Sequence, residues 1–227
     1  MKIVEPKIIL EDYNGVKIEK NIEKACRKCY RSEESTTEDS YKHLLKNCIN
    51  RGHQSILEHE KITAEILASV GAYKELTRHR FASFSIESTR YCAYHKDKFG
   101  NEITFINPCN IEGELHDLWK KGMEMSEKVY NIMAKNGAKP DQLRTVLPHS
   151  TAANLSMTAN IREWRHILEL RCSKMAHPEV QQLMIPVLLQ FQKDMPELFG
   201  DIEYNKDFPV EKYANVSIDR ETEKGER

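Results

Sequence analysis

The segment from Asn160 to Cys172 constrains the fold more than any other part of the chain. At the roughly 100° per residue of an α-helix, Ile161, Trp164, Ile167 and Leu168 share one face, and Arg171 falls inside the same arc, as does Asn160 three turns earlier. Burying that face buries a guanidinium, and a buried charge needs a partner. The helix must therefore lie against an acidic side chain or against a bound anionic or polar ligand. Arg162 and His166, four residues apart, share a second face, as in a helix that touches two different surroundings, such as two subunits. A helix with one internal ion pair is the plainer account of the same pattern.

Around this helix the chain reads as irregularly alternating strands and helices. Lys2 to Leu10 carries a strand pattern interrupted at Pro6, and Ile18 to Tyr30 has a helical stripe of Ile18, Ile22, Ala25, Cys26 and Cys29. Tyr41 to Ile49 predicts a second helix ending near Gly52, Lys61 to Ser69 a core strand, and Val70 to Thr77 a short helix. Beyond Tyr91, Ile103 to Ile106 reads as a short strand and Glu112 to Asn136 as the longest helix, its Met-rich stripe suited to core or subunit contact. A hydroxyl-rich stretch with Ser150, Thr151, Ser156 and Thr158 leads into the Asn160 helix, and a last helix from His177 to Met195 is expected to kink at Pro186. The Gly-rich turn of a dinucleotide-binding βαβ unit is missing, which points to an α+β fold. Residues 1–216 are read as one domain and 217–227 as a disordered charged tail.

Charge is balanced, 34 Lys+Arg against 35 Asp+Glu, which argues against a dedicated nucleic-acid binder. No apolar run is long enough for a membrane span and no signal-peptide pattern opens the chain, so a cytoplasmic location is expected. The six cysteines are too sparse for a secreted disulfide framework, and Cys26-x-x-Cys29 lacks the second pair of a zinc site, so structural thiols and no metal are expected.

Against that balance, Arg78 to Tyr91 stands out: fourteen residues hold three arginines, one histidine, three serines and a threonine. Guanidinium forks and hydroxyls together form a donor set for phosphate or carboxylate. A second polar cluster, Gly52-His53-Gln54-Ser55-Ile56-Leu57-Glu58-His59, has neither the order nor the spacing of His-Glu-x-x-His. Its histidines either line a loop or contact a ligand.

These segments resemble the signature of flavin-dependent thymidylate synthases. Arg78, His79, Arg80, Ser83, Ser85, Ser88, Arg90 and Tyr91 fit R-H-R-x-x-S-x-[N/S]-x-x-S-x-R-Y; His53, Ser55, Glu58 and His59 fit G-H-x-S-x-x-E-H. Arg144-Thr145-Val146-Leu147-Pro148 fits R-x-V-L-P, and Asn160, Arg162, His166 and Arg171 fit N-x-R-x-x-x-[N/H]-x-x-x-x-R. The resemblance implies a mixed sheet flanked by long helices and a homotetramer with active sites between subunits. It implies that dUMP becomes dTMP, with methylenetetrahydrofolate as carbon donor and FAD, reduced by NADPH, as hydride donor. It places His53, Ser55, Arg78, His79, Arg80, Asn160, Arg162 and His166 at FAD. At dUMP it places Glu75, Arg78, Glu87, Ser88, Thr89, Arg90, Arg144 and Arg171, the last as the catalytic group beside the uracil ring.

Two positions depart from the pattern. Glu75 stands where Gln is common, losing a donor and adding a charge, and Ile86 stands where Gln or Glu is usual, with Glu87 beside it as a substitute. Two rival classes are separable by experiment. A cysteine-dependent nucleotide methyltransferase would need Cys109, here in Pro108-Cys109-Asn110, and a nucleotide- or RNA-binding module would carry no flavin.

Overall fold

A computed structural model describes residues 1–92, 94, 100 and 102–219. The expected tail beyond residue 219 and most of the segment between Tyr94 and Ile103 lie outside the described residues. The centre is a five-stranded sheet in the order β4-β6-β3-β2-β7. Its strands are β2 (Lys7–Glu11), β3 (Lys61–Ser69), β4 (Ser83–Ile86), β6 (Ala152–Asn160) and β7 (Asn215–Asp219). Only β2 and β7 pair in parallel, so the sheet is mixed and the class α+β, as expected. A separate parallel pair joins β1 (Lys2–Val4) to β5 (Thr104–Ile106). Pro6 therefore does more than interrupt a strand: it divides residues 2–11 between two sheets.

The helices are α1 (Gly15–Tyr30), α2 (Ser40–Asn50), α3 (Val70–Leu76), α4 (Glu114–Lys135), α5 (Pro140–Leu143), α6 (Ile161–Arg171), α7 (Pro178–Asp194) and α8 (Pro196–Phe199). One hydrophobic core joins the sheet to α1, α2, α3, α6, α7 and α8. Helix α7 continues through Pro186. A smaller core under α4 gathers Phe105, Tyr130 and Leu143. The α4 stripe divides: Trp119, Met123 and Met133 pack on this second core, whereas Leu115, Leu118, Met125, Val129 and Ile132 are exposed. The Cys26-x-x-Cys29 thiols also part company, Cys26 Sγ lying 3.5 Å from Cys48 Sγ in the core while Cys29 is exposed.

Two expectations are corrected. The hydroxyl-rich stretch before Asn160 is no lead-in but β6, which pairs with β3 from Lys61↔Asn160 to Ser69↔Ala152. Its small residues disguise a period of two: Ala153, Leu155, Met157 and Ala159 are buried, and Thr158 turns outward to a 2.8 Å hydroxyl contact with Thr63. The tail does not begin at Ser217, because Ser217, Ile218 and Asp219 belong to β7 and pair with Ile9, Leu10 and Glu11.

Strand β6 runs into α6 without a loop. Asn160 ends the strand and caps the helix, its Oδ1 accepting from Glu163 N–H at 2.8 Å. Fully buried Trp164 fastens α6 to the sheet: its indole Nε1 donates to the Ile62 carbonyl at 3.0 Å, and its ring meets Phe191 edge-on at 5.5 Å. At the next position Arg165, 4% exposed, pairs through both terminal nitrogens with Asp201 at 2.7 Å. That guanidinium holds the Asp201 carboxyl below its usual range. Trp164→Ala is expected to cost about 3–5 kcal/mol, read as a lower denaturant midpoint, whereas Val210→Ala at an exposed site stays within about 0.5 kcal/mol.

Candidate active site

Three stretches of chain converge where α6 leaves the sheet. The first is a turn of 3-10 helix, Gln54–His59, tied to α6 by the Ile161 N–H donating to the Glu60 carbonyl at 3.0 Å. The second is the turn after α3, running from Thr77 into β4. The third is α6 itself. Between them lies a cleft of about 520 Å³ whose lining includes Asn160, Arg162 and His166 from the expected flavin set. Gln54, Glu58, Phe81, Glu163, Arg165 and Glu169 line it too. Glu58, which had no role from sequence, pairs with Arg162 at 2.6 Å; both are about half exposed, at 47% and 52%, so the pair itself adds little stability.

The constraint set by Arg171 is met by an acidic side chain. Arg171 Nη1 donates to Glu75 Oε2 at 2.9 Å and Nη2 to the Glu75 carbonyl at 2.7 Å, while Nε donates to His79 Nε2 at 2.9 Å. Among the described residues this engages three of the guanidinium's five N–H donors and leaves two for a ligand. Glu75, the departure from the family pattern, is thus the ionic partner of the residue the pattern makes catalytic.

His79 is 4% exposed, and its ring nitrogens face Arg171 and, at 3.5 Å, Glu163 Oε1. Its ring meets that of His166 edge-on at 5.7 Å. Burial, with Arg171 and His166 nearby, pushes its pKa down to about 4, so the imidazole is neutral. Burial pushes the Glu163 carboxyl upward.

The other expected residues are spread around this core. His53 and Ser55 are exposed at the start of the 3-10 turn, and Arg78 and Arg80 are exposed on either side of buried His79. Ser88 and Arg90 share a turn, Arg90 N–H donating to Ser88 Oγ at 3.3 Å, with Thr89 between them half-buried. The Arg90 guanidinium lies 5.3 Å from the centre of the Tyr91 ring. Arg144 opens a separate, exposed 3-10 turn under α4. Arg78, Arg80, Arg90 and Arg144 have no carboxylate partner among the described residues, unlike Arg162, Arg165 and Arg171. Glu87 is occupied internally: Oε1 accepts from Tyr94 Oη at 3.2 Å and Oε2 from Asn154 Nδ2 at 3.1 Å, which pins the end of β4 to β6.

A family profile described as "Thymidylate synthase complementing protein" matches residues 10–197, most of the chain. Proteins called "Flavin-dependent thymidylate synthase" match over similar spans. The one from Pyrococcus abyssi is 33% identical over 165 residues, 71% of this chain and 67% of the relative. The chain belongs to the flavin-dependent thymidylate synthase family. The Corynebacterium efficiens member is 30% identical over 203 residues, 80% of this chain and 78% of its own. The Geobacter sulfurreducens member is 28% identical over 184 residues, 78% of each. Among solved structures, the UMP/dUMP methylase PolB from Streptomyces cacaoi, bound with 5-Br dUMP, shares the fold at a TM-score of 0.72 and 22% identity. That likeness covers 88% of this chain and 96% of PolB.

Of the residues lining this family member's cleft, sequence reasoning passed over Gln54, Phe81, Glu163, Arg165 and Glu169. Phe81 had a signal, as an aromatic inside the motif, and at 86% exposure it buries almost nothing. Glu163 had one too, three residues after the capping Asn160.

The neutral His79 makes stability depend on pH. Unfolded, the imidazole takes its proton near pH 6.5; folded, only near about 4. Its contribution is therefore present above about 6.5 and lost as pH falls through about 4, up to about 3 kcal/mol in all. Glu163, shifted upward, works in the opposite direction. His79→Gln is expected to flatten this loss, measured as the denaturant midpoint in steps between those two pH values.

Proposed function

We propose that this protein is an FAD-dependent thymidylate synthase that converts dUMP to dTMP with methylenetetrahydrofolate as carbon donor and NADPH as reductant. The observation that carries the reading is Arg171, held by Glu75 and by His79, whose ring adjoins the cleft residues His166 and Glu163, with two donors uncommitted among the described residues. A guanidinium fixed in this way stabilises negative charge developing on the N3–C4–O4 edge of a uracil and so raises the nucleophilicity of C5. The cleft suits a flat, polar cofactor, since it combines a cation, a ring donor and an amide with three carboxylates within a volume typical of ligand sites. When bound, FAD supplies hydride chemistry there. His53, Ser55, Arg78, Arg80, Asn160, Arg162 and His166 are the residues to hold it, with His79 supporting from beneath.

Ser88, Thr89, Arg90, Arg78 and Arg144 bind the nucleotide, the arginines being free of carboxylate partners among the described residues and so ready for a phosphate. Glu75 acts at dUMP through Arg171, and Glu87 by fixing the end of β4 from which Ser88 follows. Residues 1–216 form one catalytic unit with part of β7 closing the sheet edge. The enzyme works in the cytoplasm as a homotetramer whose active sites lie between subunits, which the exposed α4 stripe of Leu115, Leu118, Met125, Val129 and Ile132 supports.

The cysteine-dependent alternative is disfavoured at Cys109, whose thiol burial pushes up to about 11, far from a thiolate at neutral pH.

The purified protein is expected to show a flavin absorption band that bleaches on anaerobic addition of NADPH. Arg171→Ala should abolish dTMP formation while retaining the flavin, and Cys109→Ala should leave turnover intact. A colourless protein, or wild-type turnover in Arg171→Ala, would overturn the reading.

A further inference from the structure

The His79 ring is too buried to meet a ligand directly, yet it stands in a line of polar contacts that ends at the cleft. Its Nε2 accepts from Arg171 Nε at 2.9 Å, which requires a lone pair on Nε2 and, in the neutral ring, the proton on Nδ1. Nδ1 lies 3.5 Å from Glu163 Oε1. Glu163 is placed in turn by the start of α6, where its N–H donates to Asn160 Oδ1, and it lines the cleft. The charged and titratable groups facing the imidazole are Arg171, His166 and Glu163, with Glu75 on the far side of Arg171. Glu163 supplies the anion opposite Nδ1–H.

We propose that Glu163 is a positioning residue for Arg171, acting through the tautomer of His79, a role that rests on the reading of Arg171 as the group beside the uracil. The carboxylate favours the proton on Nδ1 and leaves Nε2 bare to receive the Arg171 N–H. Gripped there and by Glu75, the guanidinium has one orientation, and its two remaining donors have one direction. Without the carboxylate the two neutral tautomers compete, and the Nε2–H form sets two N–H donors against each other. Arg171 then stays charged and paired with Glu75 but loses its fixed direction, which weakens transition-state stabilisation more than ground-state binding.

The test uses Glu163→Gln, which keeps the shape of the side chain, alone and combined with His79→Gln. In protein labelled with ¹⁵N-histidine, the His79 signals, identified by their loss in His79→Gln, should show an unprotonated Nε2 and a protonated Nδ1. Glu163→Gln should shift them toward the other tautomer. It should also lower kcat about tenfold to hundredfold with KM for dUMP and flavin content little changed. In the His79→Gln background, Glu163→Gln should change kcat less than about twofold, because the route is already cut. Additive losses in the double variant, or an unchanged tautomer in Glu163→Gln, would overturn the proposal. If the wild-type protein made no dTMP, the reading of the reaction would fall, while the nitrogen signals would still decide whether Glu163 sets the tautomer.

Discussion

The structure turns on one guanidinium. Arg171 sits at the last turn of α6, and its contacts go to the end of α3 and to the histidine that follows it. Those contacts fasten the start of the Arg78-to-Tyr91 segment to α6, Arg171 lying 92 positions after His79 and 96 after Glu75. Removing one partner from such a part-buried pair leaves an uncompensated charge, which is why the interaction fixes geometry more firmly than its net energy suggests. The neutral state of His79 follows from the same placement, since burial disfavours a charged imidazole and Arg171 beside it would repel a second cation.

The arginines divide by environment. Arg165 and Arg171 are buried or nearly so and are held by carboxylates and carbonyls of the protein, Arg171 by the His79 ring as well. Arg78, Arg80, Arg90 and Arg144 stand at the surface without such partners among the described residues. The first group organises the backbone around the site, and the second is left with charge to offer an anion. The residues on one chain are also spread widely: Arg144 lies on a turn under α4, in the territory of the second core, and not on the sheet-and-α6 frame that carries Arg171.

Much of this was legible in the residues. Helices α1 and α2 and strand β3 show strong periodicity and were readable to within a few positions. The arc containing Arg171 required a partner, and Glu75 is that partner. What escaped was set by context. Strand β6 is rich in Ala, Ser, Thr and Asn, so its alternation is one of small residues, and it is pairing with β3 that decides its state. The role of Glu58 depends on a contact across 104 residues with Arg162, which no local pattern announces. Strand β7 reads as polar because it sits at the sheet edge, where only every second side chain is even half-buried.

The direct passage from β6 to α6 leaves the chain no slack. Every side chain on α6 takes its direction from the pairing register of β6 with β3, through the single shared residue Asn160. Inserting or deleting one residue there would rotate the whole helix by about 100° and carry Arg162, Glu163, His166 and Arg171 off their present headings together. The boundary is a place where this fold tolerates a change of residue better than a change of length.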